Sequence, residues 1–174
     1  LRGILPAAWM PPLPDHEERQ WWHINDNADV ATQGFRPIPG TGTKWVVLFA
    51  DATGGPYSSV RSLRQIACAL VQLGVAPLNG APPPVHSALA WGFATDEEQL
   101  VSAGELDCLE QAMLRCESHL VVVTDDAKVE AGYREECWQR VRGPVVTRSM
   151  PTHALQWARI GRLSQQREAR GART

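Results

Sequence analysis

An α/β fold with a mixed sheet is predicted by three features of this 174-residue chain. Two short apolar runs, "WVVLFA" at 45–50 and "HLVVVT" at 119–124, read as strands buried on both faces. Between them Leu106, Leu109, Met113 and Cys116 recur at three- and four-residue steps, the spacing of one helical face. A helix placed between strands forms a crossover unit, and such units favour parallel neighbours.

The remaining elements follow in order. Residues 1–40 carry Pro6, Pro11, Pro12, Pro14, Pro37 and Pro39, so extended segments and turns are expected there. Trp9, Trp21 and Trp22 lie in this arm and call for burial, which predicts that the arm packs onto the domain. The first strand is expected at 44–51, with a turn at Gly54-Gly55-Pro56. The stretch 59–73 fits either a second, antiparallel strand or a short helix. A Pro-rich loop at 74–84 leads into a strand at 85–93. A helix lies within "DEEQLVSAGELDCLEQAMLRC", and 119–124 is the next strand. A helix at 127–141 places Val129, Tyr133, Cys137 and Val141 on one stripe. A last strand at 144–150 and a last helix at 152–163 complete the order. The stretch from Arg159 to Thr174 holds five Arg and one Glu. The expected division is an arm or linker at 1–43, the α/β domain at 44–163 and a basic tail at 164–174.

Composition narrows the class. The net charge of −2 argues against a chain that binds nucleic acid through its overall charge. There is no run of 18 apolar residues of the kind that crosses a membrane as a helix. The N-terminal segment is too short and too Pro-rich for a signal peptide, and its start on Leu suggests a piece of something longer. Cys68, Cys108, Cys116 and Cys137 show no CxxC spacing; Cys108 and Cys116 read as small core residues in a reducing compartment, and a zinc site is not expected.

Both apolar runs end on an acid, Asp51 and Asp125, and Glu105 opens the helix between them. With the two strands as sheet neighbours, the three carboxylates share one crevice. They repel one another, and burying them unpaired is costly. Divalent cations resolve the conflict, and the all-oxygen donor set suits Mg²⁺. Two such ions clamp the attacking and leaving oxygens of a phosphodiester. Each acid also has a local structural reading. Ser102 and Glu105 have the spacing of a capping box, Asp125 or Asp126 can cap the helix that follows, and Asp51 can start a turn with Thr53 and Gly54.

The motifs "LFADATGG", "SAGELDCLEQAM" and "HLVVVTDD" resemble the three acidic motifs of the ribonuclease H fold. The similarity covers about 44–142. Twenty positions separate Glu105 from Asp125, which suits that fold; 54 separate Asp51 from Glu105, and the loop at 74–84 can absorb the excess. The Ala-Asp-Ala form and the Pro/Trp-rich arm look more like the ribonuclease H domain of a retroelement reverse transcriptase than a cellular enzyme.

The resemblance implies a mixed five-stranded sheet flanked by helices. It implies an endonuclease that hydrolyses the RNA strand of an RNA–DNA hybrid, with Asp51, Glu105 and Asp125 holding two Mg²⁺ or Mn²⁺ ions. A reverse transcriptase domain, attached or associated, is the implied partner, with no membrane. The family's fourth ligand, usually an Asp of the last helix, has no counterpart, as no Asp follows Asp126. His153 is the substitute, and Glu135 or Glu136 could also approach. Two other readings keep the fold: an inactive binding or scaffolding module, and an integrase-like DNA nuclease or strand transferase using Glu130, Glu135 or Glu136. Arg61, Arg64, Arg140, Arg142 and Arg148 fit phosphate contact or a solvated surface. Trp138 and Trp157 fit stacking or packing, and Asp107 and Glu110 are expected on the solvated side of their helix.

Overall fold

A computed structural model describes residues 21–23, 30–55, 64–92, 100–139 and 153–174. The expected strand at 144–150, and Arg61, Arg140, Arg142 and Arg148, lie outside the described residues. The elements are β1 (Trp21–His23), α1 (Val30–Gln33), β2 (Trp45–Thr53), β3 (Ala67–Leu73) and β4 (Val85–Gly92). They continue with α2 (Val101–Leu114), β5 (His119–Val123), α3 (Ala127–Arg134) and α4 (Ala154–Ala169). None of these helices is long and apolar enough to cross a membrane.

The strands form one mixed sheet in the order β1-β4-β3-β2-β5. Neighbours are antiparallel except β2 and β5, which run parallel with Trp45 opposite His119 and Phe49 opposite Val123. The crossover through α2 therefore delivers β5 beside β2, not beside β4. Residues 67–73 are a strand, which removes the helical reading there. The described part of the arm supplies the short outer strand β1 and two core residues, while Trp9 lies outside the described residues. Val30 and Phe35 are buried in the core, and Phe35 N–H donates to Arg115 O at 2.6 Å. The core thus begins before the boundary expected at 43.

Strand β2 is buried on alternate residues only. Val46, Leu48, Ala50 and Ala52 face the core, whereas Trp45, Val47 and Phe49 are 40–42 % exposed. Val121 and Val123 of β5 are exposed to the same degree. This corrects the expectation of strands buried on both faces. Helix α2 covers one face of the sheet, and α4 packs on α2, so the two helices form successive layers on the same side.

That layering buries α2 nearly all round, including Glu105, Asp107, Glu110 and Gln111. Asp107 and Glu110 are therefore not on a solvated side. Asp107 accepts from Trp91 Nε1 at 2.7 Å, and Glu110 receives Arg159 Nε at 2.9 and 3.0 Å. A buried carboxylate is tolerated where such partners meet it. Trp138 and Trp157 pack in the core, with ring centroids 6.4 Å apart. All four cysteines are buried and free.

Two helix ends differ from expectation. Helix α3 stops at Arg134, not at 141, because the chain turns through Glu136 at φ 50°. Helix α4 runs on to Ala169, past 163, and 164–174 is no free tail. Arg167 is buried; its guanidinium donates to the carbonyls of Met113, Cys116 and Ser118 at the C-terminal end of α2. Beyond it, Leu120 N–H of β5 donates to Arg173 O at 2.9 Å.

Candidate metal centre

The site forms where β5 ends beside β2. Continued by two residues, their parallel register sets Asp51 opposite Asp125. Asp51 does not end β2 as expected; it pairs with Ala69, and the strand runs on to Thr53. Glu105 lies one turn into α2, which begins at Val101. Gly104 lets the helix approach the strands closely: a Cβ there would lie 2.5 Å from Ile66 Cγ2 and 2.9 Å from Ala52 Cβ. One oxygen from each of Asp51, Glu105 and Asp125 then falls within 4.8 Å of the others.

The three acids are not equivalent. Asp51 and Asp125 are exposed, and their carboxylates make no hydrogen bond to another described residue. Glu105 is 4 % exposed and held through both oxygens. Ala52 N–H donates to Oε1 at 2.7 Å, and Thr124 Oγ1–H donates to Oε2 at 3.2 Å. Burial, together with the charges of Asp51 and Asp125, outweighs these two bonds and raises the Glu105 carboxyl from 4.5 to about 7.

The local structural roles fall on other residues. Ser102 does not cap α2; its Oγ lies 3.0 Å from His153 Nε2. The cap of α3 is Asp126, whose Oδ1 accepts from Lys128 N and Val129 N at 2.7 and 3.2 Å. After β2, Thr53 Oγ1 receives Gly55 N–H at 3.3 Å, and Pro56 of the expected turn lies outside the described residues. Among the described residues, Asp51, Glu105 and Asp125 thus carry no capping or turn bond.

His153 lies outside this set. It precedes α4 in the left-handed region at φ 60° and faces Ser102. Glu130, Glu135 and Glu136 are outside it as well; Glu130 pairs with Arg134 at 3.1 Å. Sequence reasoning missed Thr124 as the partner of Glu105. The available signal was a hydroxyl residue directly before the Asp-Asp pair.

Three carboxylate oxygens so close, two of them open to solvent, form the hard donor set that Mg²⁺ or Mn²⁺ takes with water completing the shell. The residues present therefore fit divalent cations.

No family model matches the chain, and no curated protein sequence matches it. Solved structures do. The solution structure of the PFV RNase H domain is similar with a TM-score of 0.52 at 17 % identity, over 70 % of this chain and 72 % of that one. The crystal structure of the prototype foamy virus protease-reverse transcriptase is similar with a TM-score of 0.49 at 16 % identity, over 69 % of this chain and 16 % of that one. The chain thus spans about a sixth of the length of that protein. The fold is the ribonuclease H fold, an α/β fold built on a mixed sheet.

Proposed function

We propose that this chain is a ribonuclease H domain of a retroelement reverse transcriptase, and that it hydrolyses the RNA strand of RNA–DNA hybrids. The observation that carries the reading is the set of Asp51, Glu105 and Asp125 oxygens within 4.8 Å of one another, on a fold shared with an RNase H domain. Mg²⁺ or Mn²⁺ bound there would supply the charge neutralisation and Lewis acidity that phosphodiester hydrolysis needs.

The chain's own residues divide the work. Asp51 and Asp125 are exposed and present carboxylates to an incoming phosphodiester site. Glu105 is the fixed third wall of the crevice, oriented by Ala52 N–H and Thr124. Asp126 anchors α3 beside the site by capping it. A hybrid would be recognised by groove shape, 2′-hydroxyls and backbone, not by sequence. An attached or associated reverse transcriptase domain belongs to the same proposal.

The test is cleavage of labelled RNA annealed to DNA, in Mg²⁺, in Mn²⁺ and in EDTA. Metal-dependent cuts, lost in Asp51→Asn, Glu105→Gln and Asp125→Asn, are expected. Cleavage that survives all three changes would refute the proposal. A binding module without cleavage is the second reading, favoured by His153, which faces Ser102 and adds no fourth ligand to the set. Metal-independent hybrid binding with no cuts would select it.

A further inference from the structure

Thr124 is the residue directly before Asp125, and its hydroxyl has two partners. The backbone N–H of Asp126 donates to Oγ1 at 3.1 Å. An N–H can only donate, so that bond takes a lone pair of the hydroxyl. The hydroxyl's own hydrogen is left for Glu105 Oε2 at 3.2 Å. On the other side of the same carboxylate, Ala52 N–H holds Oε1. Each oxygen of Glu105 is thus held by one donor, and the donors adjoin Asp51 and Asp125. One lone pair on each oxygen stays available to a further ligand.

We infer that Thr124 is a positioning residue for Glu105, fixing the rotation of its carboxylate against Asp51 and Asp125. The inference rests on the proposed reading that these acids hold divalent cations. A carboxylate held by Ala52 alone could rotate about that single bond and would lose its preset orientation. Outer-shell donors of this kind are commonly worth 10–100-fold in metal affinity.

The experiment uses Mn²⁺ as the probe, bound to the full chain and followed by water-proton relaxation. Melting in EDTA is recorded in parallel. Thr124→Val and Thr124→Ala are expected to weaken Mn²⁺ binding about 10–100-fold. Thr124→Ser, which keeps the hydroxyl, should restore most of the affinity. Thr124→Ala is the smaller change and carries the measurement if Thr124→Val does not fold. Wild-type affinity in these variants, with or without a lower melting temperature in EDTA, would make Thr124 a structural residue only and overturn the inference. Glu105→Gln separates the two levels. If wild-type Mn²⁺ binding is indifferent to Glu105→Gln, the metal reading fails and this inference fails with it. If binding needs Glu105 but not the Thr124 hydroxyl, only this inference falls.

Discussion

The backbone N–H of Ala52 donates a 2.7 Å hydrogen bond to Oε1 of Glu105, joining residues 53 positions apart. The bond ties the body of α2 to the residue that follows Asp51. The burial of Glu105 carries a consequence for pH, and the close approach of α2 to Ala52 carries one for packing.

The pH consequence follows from the Glu105 carboxyl, raised from 4.5 to about 7, chiefly by burial. Between those values the folded metal-free chain holds a proton that the unfolded chain has released. Stability from this group is therefore fully present below 4.5 and is lost as pH rises through about 7. In EDTA the melting temperature should be higher near pH 5.5 than near pH 8, with Glu105→Gln flattening the difference. Mn²⁺ affinity should run the other way, rising with pH as the proton leaves. An EDTA melting profile unchanged by Glu105→Gln would contradict this account.

The packing consequence concerns Gly104. A methyl group there meets Ile66 at 2.5 Å and Ala52 at 2.9 Å, both short, buried side chains with little room to give. Gly104→Ala should cost roughly 1–3 kcal/mol by overpacking. It should also weaken Mn²⁺ binding, because pushing α2 away lengthens the Ala52–Glu105 bond. Urea melts and a Mn²⁺ titration of the variant measure both effects.

Asp51 carries no capping or turn bond, so its removal should not harm the metal-free fold. Asp51→Asn deletes one of three like charges at nearly constant shape. The melting temperature in EDTA should hold or rise, while hybrid cleavage is abolished. A clear fall in EDTA, together with no Mg²⁺ stabilisation of wild type, would leave Asp51 a structural residue.

The adjacent acids Asp125 and Asp126 should separate cleanly. Asp126→Ala removes the cap of α3 and should cost about 0.5–2 kcal/mol with Mn²⁺ affinity largely kept. Asp126→Asn retains an acceptor oxygen and should be nearly neutral. Asp125→Asn should do the reverse, leaving the melt in EDTA intact and weakening Mn²⁺ binding. Equal loss of cleavage in Asp125→Asn and Asp126→Asn would mean that the roles are misassigned.

Arg167 is the structural counterpart of the acidic site. Its guanidinium joins α4 to the carbonyls of Met113, Cys116 and Ser118 and to the chain end at Arg173. Arg167→Met should destabilise by on the order of 3 kcal/mol, because several buried carbonyls lose a charged donor together. Chemical denaturation of the two proteins gives the comparison.

The sequence by itself determined the elements that carry the acids. Apolar runs ended near Asp51 and Asp125, and a three-and-four periodicity placed Glu105 on the helix between them. Those signals are local, so they survive without knowledge of the fold. Adjacent chemistry was less legible. In "TDD" both acids have capping chemistry, and only the hydrogen bonds to Lys128 and Val129 assign the cap to Asp126. Ser102 and Glu105 have capping-box spacing, yet each side chain finds its partner on another element: His153 for Ser102, Ala52 and Thr124 for Glu105.

Tertiary structure alone decided which faces are covered. Helical periodicity finds the side of α2 that meets the sheet. It says nothing of α4 lying on the opposite side, so Asp107 and Glu110 read as solvated when they are buried and paired. The same stacking leaves Trp45, Val47 and Phe49 half-exposed in a run that reads as doubly buried. It also turns a basic stretch into a buried arginine clamp. Burial depends on what a second layer covers, and that layer is set by contacts far apart in sequence, which no local pattern encodes.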